Sequence, residues 1–335
     1  MTTFILPRPR GFDLRAASDF YASFTPGSGM AAAATDRLTL AFRLDGSFEA
    51  VAATLRQEAD ALVVTLAGSD DARTASRQLS RMLGLDVDGD AWLAIGARDP
   101  VVAALQAEQP GFFTAAKASP YDAATWAIIA ARTSMQSAAR VKMAMACALG
   151  DHVAIDGRVH HVFPGPDVLA RLDGFAGLPG VKVARLRGIG RAALTGRLDA
   201  ERLRAMREDD ALADLSALDG VGPWTASHIL FRGAAPPDAL PTAEPRVLHG
   251  FAHAYGLSAP SEATFRRVAE SWRPFRMWVC VLLARHLARS GAWHAPDLAR
   301  ERVAAGGALR RRTGTRAPAK PSRPDLPASR PARAS

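Results

Sequence analysis

Cysteine is almost absent: Cys147 and Cys280 are the two thiols in 335 residues. Two cannot build a disulfide framework, a four-cysteine zinc site or a four-cysteine iron–sulfur cluster. Both lie in apolar, helical-looking stretches, which reads as two buried, reduced thiols in a cytoplasmic protein. Long apolar runs are missing as well, since none approaches the roughly 20 residues of a membrane helix. The segment Met1-Thr2-Thr3-Phe4-Ile5-Leu6-Pro7 has neither basic residues nor a long apolar core, so no secretory signal is expected there. Lysine is scarce too. Lys117, Lys142, Lys182 and Lys320 stand among 42 basic residues, and the other 38 are arginine.

The formal net charge is +9, but its distribution matters more than its size. From Ala305 onward eight basic residues face one acid, Asp325, so this stretch carries +7 and the preceding 304 residues about +2. Residues 305–335, rich in Pro, Ala and Arg without apolar periodicity, cannot bury enough surface to offset ordering entropy. They read as a disordered tail, either a solvated extension or a non-specific phosphate-binding arm. The body is close to neutral, so a nucleic-acid contact there needs local geometry rather than global charge.

What is present divides the chain. Residues 1–98 read as a small α+β domain: Leu38, Leu40, Phe42 and Leu44 alternate with Arg37, Thr39, Ala41 and Arg43, the period of a half-buried strand ended by Asp45-Gly46. Leu62, Val64 and Leu66 repeat the pattern, then Ala75, Leu79, Met82 and Leu83 form a helix face stopped by Gly84. The stretch from Asp99-Pro100 to Pro110-Gly111 links this unit onward. Residues 99–295 read as an all-α domain of many short helices. Asp122 is placed to cap a helix running towards Leu149, with Gly150 as its stop. Ser271 to Arg289 carries apolar residues on two faces, as a central helix does. Shorter helices fit 165–172, 200–214, 224–234, 245–255 and 262–270.

The most informative string is Leu215-Ser-Ala-Leu218-Asp-Gly220-Val221-Gly222-Pro223-Trp224-Thr225-Ala226. An amphipathic helix meets a Gly-x-Gly turn and a second helix follows at once. Two glycines permit positive φ and close backbone approach, and Pro223 suits a first helical turn. Such a hairpin leaves N–H groups free at a helix N-terminus, a phosphate site that requires no lysine.

The string resembles the helix-hairpin-helix DNA glycosylase superfamily, in particular the DNA-3-methyladenine glycosylase II family of alkylation-repair enzymes. Phe163-Pro164-Gly-Pro166, Leu178 to Lys182, Gly196-Arg197-Leu198-Asp199, Pro236-Pro237-Asp238-Ala239-Leu240-Pro241 and Trp272-Arg273-Pro274-Phe275-Arg276 are similar to that family's segments in order and spacing. The similarity spans about residues 95–292, more loosely the first 95, and does not reach the tail. It implies an α+β fold: a small sheet domain followed by an all-α helix-hairpin-helix glycosylase domain. It also implies a monomeric, cytoplasmic, nucleoid-associated bacterial enzyme acting on double-stranded DNA with damaged bases, with no membrane partner. No metal or organic cofactor is implied, beyond a monovalent cation at the hairpin.

Glycosylases of this kind rotate the damaged nucleotide out of the duplex and break its N-glycosidic bond through an oxocarbenium-like state that a carboxylate stabilises. The family has an Asp twenty residues beyond the hairpin tryptophan; here that position is Glu244, followed by Pro245. Glu244 is therefore the candidate catalytic carboxylate, the alternative being an acid that only offsets the helix dipole. Asp238 is the rival acid, read as a loop residue bonded to its own backbone.

Trp224 occupies the place where bifunctional relatives carry a Schiff-base lysine, which implies a monofunctional enzyme. Trp224 and His228 are the base-pocket candidates, against plain packing roles. Gly220, Val221, Gly222 and Thr225 are the DNA-binding hairpin. Where the family shows I-L-G-Q-Q-V-S this chain reads Ile128-Ile129-Ala130-Ala131-Arg132-Thr133-Ser134, without the glutamine pair. Arg132, Thr133 and Met135 are the candidates for DNA contact and for the wedge that fills the gap of a flipped base. The competing functional reading is a helix-hairpin-helix protein that binds distorted duplex and has lost catalysis.

Overall fold

The alternating apolar positions after Arg37 form one strand of an antiparallel sheet. The computed structural model describes residues 1–23, 31–34, 37–114, 116–259 and 261–292; the tail expected at 305–335 lies outside the described residues. The sheet contains β1 (Thr2–Pro7), β2 (Ala31–Ala34), β3 (Arg37–Arg43), β4 (Ala50–Gln57) and β5 (Ala61–Ala67), in the order β1-β5-β4-β3-β2. Across β3 and β4, Leu38 faces Leu55, Leu40 faces Ala53 and Phe42 faces Val51. Helices α1 (Leu14–Ser23), α2 (Ala72–Leu83), α3 (Gly89–Arg98) and α4 (Pro100–Glu108) accompany the sheet. Asp71 caps α2 by accepting from the Thr74 amide at 2.9 Å, and Gly84 ends it in the left-handed conformation.

Strand β3 is buried on both faces rather than one, because Thr39 and Ala41 are buried as well. A hairpin of β6 (Asp151–Ile155) and β7 (Arg158–Val162) supplies the cover: Val153, Ile155 and Val162 cluster with Ala41, Ala52 and Ala67. The polar members satisfy one another. The Thr39 and Thr54 hydroxyls meet at 2.9 Å, and Thr54 donates to Asp156 Oδ2 at 2.7 Å. Small or self-paired side chains let a strand that reads as amphipathic be covered twice.

The helical part comprises α5 (Pro120–Ala130), α6 (Met135–Leu149), α7 (Pro166–Ala170), α8 (Gly180–Leu194), α9 (Ala200–Ala205), α10 (Glu208–Ser216), α11 (Pro223–Ile229), α12 (Pro245–Ala254), α13 (Glu262–Ala269) and α14 (Arg276–Ser290). It matches the expected class of a small antiparallel sheet followed by many helices.

Several expected elements differ in detail. The helix expected from Asp122 to Leu149 is two, α5 capped by Ser119 and α6 by Ser134, with Arg132 between them at φ +54. The break is held by Lys182, whose Nζ donates to the Ile129 carbonyl at 2.6 Å and to Thr133 Oγ1 at 2.7 Å. A carbonyl at the end of α5 thereby finds a partner outside the helix. The 200–214 segment also splits, at Arg207, where Glu208, Asp209 and Asp210 open α10 with charges that suit a helix N-terminus. The segment from Ser271 begins as a 3₁₀ turn (Glu270–Trp272), and α14 starts only after Pro274. The link after residue 98 is mostly α4, and of the two thiols expected to be buried Cys280 on α14 is, while Cys147 on α6 is exposed.

One apolar cluster runs from Leu6 in the sheet to Leu283 in α14 and includes Trp92, Trp272 and Trp278. Its polar anchor is buried Asp99. That carboxylate caps α4 by accepting from the Val101 amide at 3.0 Å, and also accepts from Tyr255 Oη at 2.5 Å and Trp272 Nε1 at 3.0 Å.

Candidate active site

The Gly-x-Gly turn joins α10 to α11. Gly220 adopts φ +77, a left-handed conformation that favours glycine, and a Cβ there would have to displace the Arg185 side chain on α8. Val221 is buried and pins the turn to the core, its amide bonded to the Leu218 carbonyl at 3.1 Å. Gly222 is exposed and extended, and no side chain caps the helix that it opens. A Cβ at Gly222 would meet nothing within 4 Å, so its amide surface lies open to a ligand. Thr225, half-buried, sits in the first turn of α11.

From this turn α11 carries Trp224 and His228 on one face, and Arg232 follows at the same spacing on a π-helical turn (Leu230–Ala234). The Trp224 and His228 rings stack with centroids 5.2 Å apart and planes 15° from parallel. Trp224 Nε1 donates to Glu244 Oε2 at 2.9 Å. Glu244 is the cap of α12, its Oε1 accepting from the Arg246 amide at 3.2 Å, and Pro245 is the first helical residue. The twenty-residue spacing therefore closes into one cluster of indole, imidazole and carboxylate.

Asp238 is not bonded to its own loop in the way the sequence suggested. It pairs with Arg273 and with Arg276, whose Nε lies 2.9 Å from Oδ1. The Trp-Arg-Pro-Phe-Arg segment thus spends its arginines on Asp238 and Glu270, and Asp238 serves as their counter-ion.

Arg132, Thr133 and Met135 form a separate exposed group at the α5–α6 junction. Thr133 accepts from Lys182 and is held against the helix end. Met135, 42% exposed, is the large apolar side chain of the group.

Joined to the Arg232 turn by a backbone hydrogen bond lies a charged cluster that the sequence pattern did not reveal. Lys117 and Lys142 are both buried and flank Asp122, at 3.5 Å from Oδ2 and 2.6 Å from Oδ1. Lys117 also lies 5.3 Å from the Trp126 ring centre, and its amide donates to the Arg232 carbonyl at 2.8 Å. Burial pushes the Lys117 ammonium down to about 7, against the pull of Asp122. Burial opposes the Asp122 charge, but Lys117 and then Lys142 outweigh it and hold the carboxyl at about 2. His228 is driven down to about 3, first by burial and then by the charges of Lys117 and Arg232. Its Nε2 is buried without a hydrogen-bond partner. The available signal was rarity: in a chain that uses arginine almost throughout, all three lysines of the described residues are buried. Among the described residues no group of three His, Cys, Asp or Glu side chains is placed to hold a metal ion.

Known proteins share this architecture. No family model matches the chain. A solved 3-methyladenine DNA-glycosylase from Archaeoglobus fulgidus superposes with a TM-score of 0.69 over 86% of this chain and 98% of its own, at 19% identity. The two chains accordingly share a fold. By sequence, a Mycobacterium tuberculosis protein named probable bifunctional transcriptional activator/DNA repair enzyme AlkA is 32% identical over 212 residues, 62% of this chain and 42% of that protein. A Bacillus subtilis DNA-3-methyladenine glycosylase is 25% identical over 173 residues, 50% of this chain and 57% of that one. The chain spans about half the length of these curated relatives.

Proposed function

We propose that the protein is a monofunctional DNA glycosylase that hydrolyses the N-glycosidic bond of alkylated bases in double-stranded DNA. The observation that carries this reading is the 2.9 Å bond from Trp224 Nε1 to Glu244 Oε2. It holds a carboxylate at a helix N-terminus beside an aromatic stack that can accept an extruded base. The hairpin amides at Gly222 and in the first turn of α11 grip a backbone phosphate, and Arg132 with Met135 faces the gap left in the duplex. As the C1′–N bond lengthens, positive charge develops on the sugar, and Glu244 stabilises it electrostatically. Water then forms the new C1′–O bond, its proton passing to the carboxylate or to the departing base. No amine occupies position 224, so no imine forms there and the strand stays intact.

The test uses duplexes carrying one defined alkylated base. Glu244→Gln should lose on the order of 10²–10³ in excision rate, as removal of one preorganised electrostatic partner does elsewhere, while affinity for lesion DNA changes little. Unaltered excision by that variant eliminates Glu244. Borohydride added during turnover should trap no covalent protein–DNA adduct; an adduct that disappears with Lys117→Arg would identify the buried amine as a nucleophile. Both Glu244 oxygens already accept hydrogen bonds, the one observation that favours the non-catalytic alternative. A parent protein that binds such duplexes and excises nothing establishes that reading instead.

A further inference from the structure

From one of its faces, helix α8 reaches both elements that the glycosylase reading turns towards DNA. Lys182, in its first turn, donates from Nζ to the Ile129 carbonyl at 2.6 Å and to Thr133 Oγ1 at 2.7 Å. Arg185, three residues on and so on the same face, lies against the hairpin turn: a Cβ built on Gly220 would fall 2.3 Å from its Cδ and Nε. The two residues are about 4.5 Å apart along the helix axis, less than one turn. Residues 131–136 are all exposed. Among the described residues, the hydrogen bonds that reach the stretch 129–134 from another element are the two from Lys182. That stretch needs an external tie, because Arg132 holds φ +54, a left-handed conformation that a residue with a side chain keeps only when its surroundings impose it.

Resting on the glycosylase reading above, we infer that Lys182 is a positioning residue for base extrusion, holding the α5–α6 junction at a fixed reach from the hairpin. The hairpin takes a backbone phosphate through amides that Lys182 does not touch, so grip on the duplex and extrusion of a base are separable. Met135, 42% exposed, opens α6 directly after the turn, so the course of the turn decides where that side chain points. A turn left loose would lose its conformational freedom at the moment of extrusion and oppose it. The residue type suits the task. An ammonium group donates to a helix-end carbonyl and to a hydroxyl at once, which neither an aliphatic side chain nor a carboxylate can do. Both acceptors are neutral, and burying a charge with only neutral acceptors costs stability. A brace for the fold alone has no use for that charge, whereas a brace beside DNA meets the negative potential of the phosphates.

The experiment places 2-aminopurine beside a single alkylated base and follows its fluorescence at saturating protein, in a Glu244→Gln background where excision does not interfere. Lys182→Met should lower the ratio of lesion to undamaged affinity by about tenfold or more, the worth of a hydrogen bond from a charged group, and with it the fluorescence rise. Affinity for undamaged duplex should not change, because the hairpin supplies it. Equal losses for both duplexes overturn the inference, since they mark damage to the fold. A ratio and a rise that both stay at the parent value overturn it too, and leave the glycosylase reading standing.

A double-mutant cycle supplies the second arm. Thr133→Val removes one acceptor of Lys182 and keeps the bulk of the side chain. It should lower the lesion preference in the parent background and add nothing to Lys182→Met. Additive losses overturn the inference, because Thr133 then acts on DNA without Lys182. Should Lys182→Met fail to fold, Thr133→Val carries the same expectation, with Thr133→Ser, which restores the acceptor, returning the preference to the parent value. Neither arm reads excision, so a protein that extrudes a base and excises nothing still supports the positioning role. A protein whose binding produces no fluorescence rise at all overturns it.

Discussion

At the scale of the residue, the bond between Trp224 and Glu244 separates two roles of the indole. Trp224→Phe keeps an aromatic face for stacking but removes the donor at 2.9 Å. A hydrogen bond to a charged group is worth about 1.5–3 kcal/mol, so excision should fall by roughly ten- to a hundredfold while lesion affinity is largely retained. Loss of affinity without loss of rate would show that the ring matters and the bond does not. His228 permits a test of its own. Its folded-state value of about 3 lies below the ordinary value of 6.5, so the unfolded chain binds more protons between those limits. Stability therefore declines as pH falls from about 6.5 towards 3. In His228→Phe the melting temperature should be flatter over that interval. Asp122, whose carboxyl is held at about 2, adds a further loss of stability below about pH 4.

The hairpin behaves as an element, and its two glycines should fail in different ways. Gly222 faces open space, so Gly222→Arg should fold normally and yet weaken binding to both damaged and undamaged duplex, because the side chain blocks backbone approach to phosphate. Binding as tight as the parent's would show that the hairpin is not the contact. Gly220→Ala should instead destabilise the fold by about 1–2 kcal/mol through its left-handed φ, with displacement of Arg185 adding to it. The readout is the midpoint of denaturation. Helix junctions in this chain follow one logic: α5 ends where Lys182 takes its carbonyl, and α10 begins where three acids meet its N-terminus.

For the whole molecule, Asp99 ties three distant segments. It caps α4 and accepts from Tyr255 after α12 and from Trp272 before α14. Asp99→Ala orphans two aromatic donors and removes a cap, at about 1–3 kcal/mol for each buried group left unsatisfied. A loss of about 3 kcal/mol or more in denaturant unfolding, with residual excision at low temperature, is the expected result. A change below about 1 kcal/mol would assign the anchoring to the aromatic packing alone.

What could be read directly from the residues was local. Period-two alternation placed β3 and β5, the Gly-x-Gly turn placed the hairpin, and Pro245 behind Glu244 placed a helix start. Each depends on steric and hydrogen-bonding rules that act within a few residues. The spacing of twenty between Trp224 and Glu244 marked a pair, but only the packing of α12 against the helical body made it a hydrogen bond. The second covering of β3, the split between α5 and α6, and the pairing of Asp238 with Arg273 and Arg276 all depend on partners far along the chain. The buried lysines are the extreme case. Lys117 and Asp122 owe their displaced pKa values to desolvation and to neighbouring charge, and neither effect exists until the fold has excluded water and brought the groups within a few ångströms.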